Sequence, residues 1–220
     1  MVLPDTHFPF VDKKRLAKTI SYVPTLKPTH IVQIGDLFDF YNFSRFPKSN
    51  NVATPNAEVR DGRWMAEAMW RDLKNAAPNA ECFQVWGNHE ERPFKRIMEN
   101  APALEKFLDK SLKEMLSFPG VTTMGGILDE LEINGIVFTH GWSTQPGYHV
   151  KYFSKSVVHG HTHHGGTNYL RLNEKTLFEL DCGILADYFS RPMIYRSSMT
   201  CKWTPGFGWI DSLGPRFCPL

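Results

Sequence analysis

Five short polar clusters, each following an apolar run, hold the side chains best suited to chemistry. In chain order they are Asp5-Thr6-His7, Gly35-Asp36-Leu37-Phe38-Asp39, Gly87-Asn88-His89-Glu90, Thr139-His140-Gly141 and Gly160-His161-Thr162-His163. Together they supply carboxylates, imidazoles and one amide, a donor set that suits hard to borderline divalent metals. In an extended or strand-end segment, residues i and i+2 project to the same side. That places Asp5 with His7 on one ion, and lets His161 and His163 each reach one of two neighbouring ions. Asp36 can bridge two metals because a carboxylate has two oxygens. Asn88 offers a neutral carbonyl oxygen. An isolated histidine is more often structural than functional; His7, His89, His140, His161 and His163 depart from that rule because they recur in one kind of context.

These clusters need elements to position them. Met1 to Leu3, "HIVQIG" from His30, "CFQVWG" from Cys82 and "SVVHG" from Ser156 read as short strands, several ending in glycine. "VDKKRLAKTISYV" carries Leu16, Ile20 and Val23 at helical spacing, and "RWMAEAMWRDLKNAA" is amphipathic up to Pro78. In the latter, Trp64, Met65, Met69 and Leu73 form the expected core stripe. "APALEKFLDKSLKEML" reads as a further helix. "ILDELEINGIVFTH" predicts a hairpin turning at Asn134-Gly135, and "TNYLRLNEKTLFELDCG" a second. Helices alternate with strands early, and strands dominate later. This order predicts an α/β protein with a mixed sheet or two sheets, with its polar groups at strand ends.

Residues 41–62 are polar, contain proline and lack periodicity, so they read as a long loop beside the second cluster. Residues 186–220 form an aromatic, proline-rich C-terminal segment in which Trp203, Phe207 and Trp209 are expected to pack. The 220 residues suit a single domain spanning 1–220. A net charge of +2 is too small to imply a nucleic-acid binder by itself. The four cysteines have no C-x-x-C pair, which argues against a thiolate zinc site and fits a reducing, cytoplasmic setting; pairing of Cys201 with Cys218 stays open. No apolar run approaches the roughly 18 residues that would span a membrane, and the N-terminus shows no secretory leader.

With the five clusters in order, D-x-H, G-D-x-x-D, G-N-H-[DE], a lone H and G-H-x-H, the chain resembles the calcineurin-like metallophosphoesterase superfamily. The resemblance spans residues 5 to 163. It implies a four-layer α-β-β-α sandwich with two mixed sheets and a pair of divalent metal ions, manganese first, with iron, zinc, nickel or cobalt as alternatives. It also implies that Asp5, His7 and His163 bind one ion, that Asn88, His140 and His161 bind the other, and that Asp36 bridges them. His89 would stand outside the metal shell near the leaving oxygen, and Asp39 would orient His89 or another active-site group. The implied reaction is phosphoester hydrolysis by a hydroxide bridging the metals.

The substrate is narrowed by departures from the family patterns. Serine/threonine phosphatases of the superfamily carry arginine directly after G-D-x-x-D, where this chain has Phe40. "GDLF" is shared locally with DNA repair nucleases, and "GDLFDFYNFSRFPKS" is similar to small phosphoesterases of bacteriophage and bacterial genomes. Tyr41, Phe43, Arg45, Phe46 and Lys48 put aromatics and cations after two site carboxylates, a composition that meets bases and phosphates. Arg45, Arg92 and His164 are candidate substrate contacts. For Glu90, Glu91 and Arg92 the bland reading is a solvated helix start; for His164 it is a solvated loop residue. The expected activity is that of a phosphodiesterase or nuclease on nucleic acid or nucleotides. The alternatives are a phosphomonoesterase or nucleotidase, and a non-catalytic scaffold. The expected location is the cytoplasm, that of the host if a phage encodes the chain. Oligomeric state is left open.

Overall fold

A computed structural model describes residues 1–45, 53–126, 129–190 and 202–220, with the side chains of 107–109 also set aside. Phe46, Lys48 and Cys201 therefore lie outside the described residues.

The strands are β1 (Val2–Leu3), β2 (His30–Gln33), β3 (Glu81–Val85), β4 (Thr122–Met124), β5 (Leu131–Ile133), β6 (Ile136–Phe138), β7 (Ser156–His159), β8 (Gly166–Leu172), β9 (Lys175–Asp181), β10 (Gly206–Asp211) and β11 (Gly214–Pro219). The helices are α1 (Lys13–Ser21), α2 (Val23–Leu26), α3 (Pro55–Ala76), α4 (Arg92–Asn100), α5 (Glu105–Met115) and α6 (Tyr148–Phe153). One sheet runs β11-β10-β1-β2-β3-β4 and the other β5-β6-β7-β9-β8. In the first, β1 to β4 are parallel, while β10 and β11 join antiparallel. In the second, β6, β7 and β9 are parallel, flanked by antiparallel β5 and β8. Both sheets are thus mixed, and both predicted hairpins form.

The alternation of side chains along the strands sorts the molecule into layers. Val2 and Val32 enter a core shared with Phe138, Val158 and Leu180 of the second sheet. Their neighbours Leu3 and Ile31 face the opposite way, into a core with Ala66, Met69 and Leu73 of α3 and Leu112 of α5. Val137 and Val157 face away from the first sheet, toward Val150 of α6. The order is helix, sheet, sheet, helix: the four-layer sandwich.

Three expectations are corrected. The stretch 41–62 is not loop throughout. Tyr41–Phe43 is a turn of 3-10 helix, and α3 begins at Pro55 with the Thr54 hydroxyl accepting from the Ala57 N–H. A proline in the first turn lacks only a donor that the helix leaves unused there, so Pro55 is compatible with starting a helix inside the stretch expected to be loop. Gly62 within α3 is forced by packing, because a Cβ there would lie 2.9 Å from the Phe38 ring. Trp64 is no part of the core stripe; it is 68% exposed, whereas Met69 and Leu73 are buried. The segment 186–220 is not simply a packed tail either. Its β10–β11 hairpin extends the first sheet at β1, with Phe207 buried and Trp209 half-buried on the helix-facing side. Pro215 and Pro219 sit on an outer strand, where a missing donor is tolerated.

Candidate metal centre

The parallel strands β1, β2 and β3 of one sheet, and β6 and β7 of the other, deliver the five polar clusters from their C-terminal ends to one place. Asp5, His7, Asp36 and His163 are all buried and converge, with donor atoms within 4.8 Å of one another. Nε2 of His7 lies 4.0 Å from Asp5 Oδ1 and 3.8 Å from Asp36 Oδ2, and Nε2 of His163 lies 3.3 Å from Asp5 Oδ1. On the other side, Nε2 of His140 stands 3.4 Å from Asp36 Oδ2 and 3.2 Å from Asn88 Oδ1, and Nδ1 of His161 stands 2.9 Å from Asn88 Oδ1. The two groups share Asp36. Its Oδ1 accepts the His89 backbone N–H at 2.9 Å, so Oδ2 alone faces both groups. The bridging geometry expected from two carboxylate oxygens narrows to one.

The backbone presents these groups by a route other than strand alternation. His7, Asp36, His161 and His163 all have positive φ, between 48° and 68°. The i and i+2 projection inferred for extended chain is therefore replaced by left-handed turns, a strained conformation that gathers at functional sites. Close approach explains two glycines. A Cβ at Gly87 would meet Asp36 Oδ1 at 2.2 Å, and one at Gly160 would meet Asp5 Oδ2 at 2.3 Å.

Hydrogen bonds set the imidazole tautomers. His7 donates from Nδ1 to Asp39 Oδ2 at 3.1 Å, and His140 donates from Nδ1 to the Ile34 carbonyl at 3.0 Å. Each thereby turns its Nε2 toward the carboxylates, where a proton sits until a metal displaces it. Nε2 of His7 and both ring nitrogens of His163 are buried without a hydrogen-bond partner. Buried donors of this kind are rarely left unmatched, and ring nitrogens aimed at a shared point between carboxylates fit divalent cations. Burial raises the carboxyl pKa of Asp36, but His140, His89 and His7 outweigh it and hold the group well below the usual range. Burial lowers His140, yet Asp36 and Asp5 outweigh that and push it up to about 10. The pocket is anionic enough to retain protons that a metal would displace.

His89 and Asp39 sit beside this centre. Burial is the main force pushing His89 down to about 4, and the Arg92 cation adds to it while Asp36 opposes. His89 donates from Nδ1 to the Asp39 carbonyl at 2.9 Å and receives an Arg92 N–H on Nε2 at 2.5 Å. Arg92 also donates to the Asp39 carbonyl at 2.8 Å. The Asp39 carboxylate lies closer to His7 than to His89, 3.1 against 3.5 Å, so its stronger orienting contact is with His7. Arg45 is exposed and lines a cleft with Asn88 and Arg92. His164 is exposed, bonds Thr162 through its backbone N–H, and lines a different cleft with His159 and Glu179. The structure does not join it to the other site residues.

Several supporting groups escaped the sequence reading. Glu90 is not a solvated helix start. It is fully buried and accepts from the backbone N–H groups of Asp36, Phe38 and Gly87 at 3.0, 2.9 and 2.7 Å, tying the second cluster to the third. Burial, reinforced by Asp36, lifts its carboxyl to about 7. Glu58 of α3 accepts from the N–H groups of Tyr41 and Asn42 and fixes the turn after Asp39. His149, His159 and Glu179 form another buried group. His149 Nε2 accepts the N–H groups of Trp142 and Ser143 at 3.2 and 3.4 Å, so its proton lies on Nδ1, toward Glu179 Oε1 at 3.6 Å. Nε2 of His159 also faces Glu179 Oε1, at 3.5 Å, so the carboxylate gathers both rings and the group reads as a brace. Glu179 also accepts the Gly147 N–H at 2.6 Å, and the brace thereby holds the loop that follows His140. Trp203 places its ring edge-to-face on His163, with centroids 4.5 Å apart.

A family model described as calcineurin-like phosphoesterase matches residues 1–181. The chain belongs to that family. This phosphoesterase is similar to the Gene 54 protein of Mycobacterium phage D29, at 28% identity over 241 residues covering 100% of this chain and 91% of the relative. It is also similar to the Gene 54 protein of Mycobacterium phage L5, at 27% identity over 236 residues with the same coverage. The phosphoesterase is a metal-dependent hydrolase of phosphoesters that uses divalent metal ions, and its buried histidine and aspartate groups could hold such an ion. Among the described residues, no helix is long and apolar enough to cross a membrane.

Proposed function

We propose that this phosphoesterase, working as one domain over residues 1–220, is a phosphodiesterase acting on nucleic acid or nucleotides. The observation that carries the reading is the cleft of about 310 Å³ that opens beside Asn88, with Phe43, Arg45 and Arg92 on its walls. A monoester ends at its phosphate; a diester has a second substituent that needs such a space.

Asp5, His7 and His163 would hold one divalent ion, Asn88, His140 and His161 would hold another, and Asp36, which lies between the two groups, would serve both. Manganese is the first choice for this mix of carboxylate, imidazole and amide, with iron, zinc, nickel or cobalt as alternatives. Bound divalent ions supply an activated water and a clamp for phosphoryl oxygens. The chain's own groups do the rest. Asp39 fixes the His7 ring. Arg92 turns from His89 Nε2 to a phosphate oxygen, a geometry guanidinium matches well. That exchange frees Nε2 and removes a neighbouring cation while an anion arrives, so His89 gains a proton and can pass it to the leaving oxygen. Arg45, which lines the same cleft, also meets the substrate. His164 stays outside the substrate contacts.

Parallel assays of bis(p-nitrophenyl) phosphate, p-nitrophenyl phosphate, mononucleotides and DNA, each with Mn²⁺, Ni²⁺, Zn²⁺ and Mg²⁺, test the reading. Diesters are expected to be the better substrates. Preference for p-nitrophenyl phosphate or mononucleotides would favour a nucleotidase, and absence of turnover throughout would favour a scaffold.

A further inference from the structure

Helix α4 turns Arg92, Lys95, Arg96 and Glu99 toward the cleft beside Asn88, at the i, i+3, i+4 and i+7 spacing of one helical face. Arg92 reaches inward, to His89 and Asp39. The other two cations lie farther along the helix and, among the described residues, pair with acids on the helix or at its N-cap. Lys95 pairs with Glu91 at 2.6 Å and Arg96 with Glu99 at 3.1 Å, with the lysine 63% and the arginine 50% exposed. Exposed pairs of this kind are weak and screened by solvent, so a phosphate can displace either carboxylate. Phe43, Ser44 and Arg45 line the same cleft. Phe43 is half-buried and stands edge-to-face on Phe40, giving the cleft an aromatic surface.

We propose that the Lys95–Arg96 face of α4 binds the phosphate adjacent to the scissile one, so that the substrate is a single nucleic-acid strand running from the metal centre along the helix. This rests on the phosphodiesterase reading. Cations in line with the reacting phosphate follow a strand backbone, and an aromatic beside them offers a stacking surface that any base can use. The cleft has the volume of a small-molecule site, enough for a strand unit and too little to enclose a duplex.

The test pairs a dT oligonucleotide of about ten nucleotides, within the span single-strand sites cover, with bis(p-nitrophenyl) phosphate, which has no second phosphate. In the Lys95→Ala/Arg96→Ala double variant, the kcat/KM ratio of oligonucleotide to small diester is expected to fall about tenfold. The loss should appear in KM, the salt dependence of oligonucleotide KM should become shallower, and Arg96→Lys should keep most of the ratio. Circular dichroism melts establish that the variants fold. An unchanged ratio, or an equal loss of kcat on both substrates, overturns the proposal. Fluorescence anisotropy of the labelled oligonucleotide on metal-free protein separates the two readings. Strand binding that needs Lys95 and Arg96 without diester turnover supports the subsite and sinks the phosphodiesterase reading. Diester turnover with strand binding indifferent to both residues does the reverse. Stronger competition by a nucleoside triphosphate than by the oligonucleotide, per molecule, overturns the strand assignment.

Discussion

Asp39 accepts a hydrogen bond from His7 Nδ1 at 3.1 Å, and that single contact decides which nitrogen of His7 faces Asp5 and Asp36. Carboxylates placed behind metal-binding imidazoles fix the tautomer and raise ligand basicity, and their loss typically weakens metal affinity by about 10–100-fold. Asp39→Ala is expected to weaken Mn²⁺ binding in that range, measured by calorimetric titration. Asp39→Asn, which keeps an oxygen acceptor, should weaken it less. Equal affinity in all three proteins would show that Asp39 does not orient a ligand.

His89 faces the centre but lends it no atom in the proposed scheme. His89→Ala should therefore retain its metals by elemental analysis while turnover of bis(p-nitrophenyl) phosphate falls by about 10²–10⁴, the range for a lost proton-transfer group. Loss of the metals in this variant would move His89 into the ligand set.

The Arg92 contact adds to burial in keeping His89 unprotonated. A cation beside an imidazole disfavours its charged form, so removing Arg92 must raise the His89 pKa above its present value of about 4. Burial, the larger cause, persists, so the new value should remain below the ordinary value of about 6.5. NMR titration of the imidazole resonances in metal-free Arg92→Ala checks this. A pKa that stays put or falls contradicts the contact.

Glu179 offers a test by stability. Burial raises its pKa, but His149, His159 and the Gly147 N–H outweigh burial and hold it well below the usual carboxylate range. A folded value below the unfolded one stabilises the protein above about pH 4.3, and the contribution is lost as pH falls through the folded value. Glu179→Gln should cost about 1–3 kcal/mol near pH 6, the range for unsatisfied buried partners. The gap in Tm between metal-free wild type and variant should then narrow toward pH 3. A gap that is constant with pH would mean that the charge of Glu179 does not hold the brace.

What the sequence made legible follows from how local each signal is. The ligand clusters are contiguous, and their order along the chain survives folding because each strand delivers its own cluster. The layers were legible only through the resemblance, since alternation in strands as short as Val2–Leu3 does not reveal which face meets which. Glu90, Glu58 and Glu179 were missed because each binds backbone N–H groups, which carry no sequence signature, from segments up to 54 residues away. Trp64 was grouped with Met69 and Leu73, yet it stands about two and a half helical turns before Leu73, on the opposite face of α3, and is exposed. The β10–β11 hairpin was hidden by prolines that an outer strand tolerates.

The central claim is that two ligand groups meet at Asp36 and each holds a divalent ion. Elemental analysis of protein stripped with chelator, reloaded with Mn²⁺ and desalted tests it most directly. The account predicts about two ions per chain, as in two-metal hydrolytic sites. One ion or none per folded chain would contradict it.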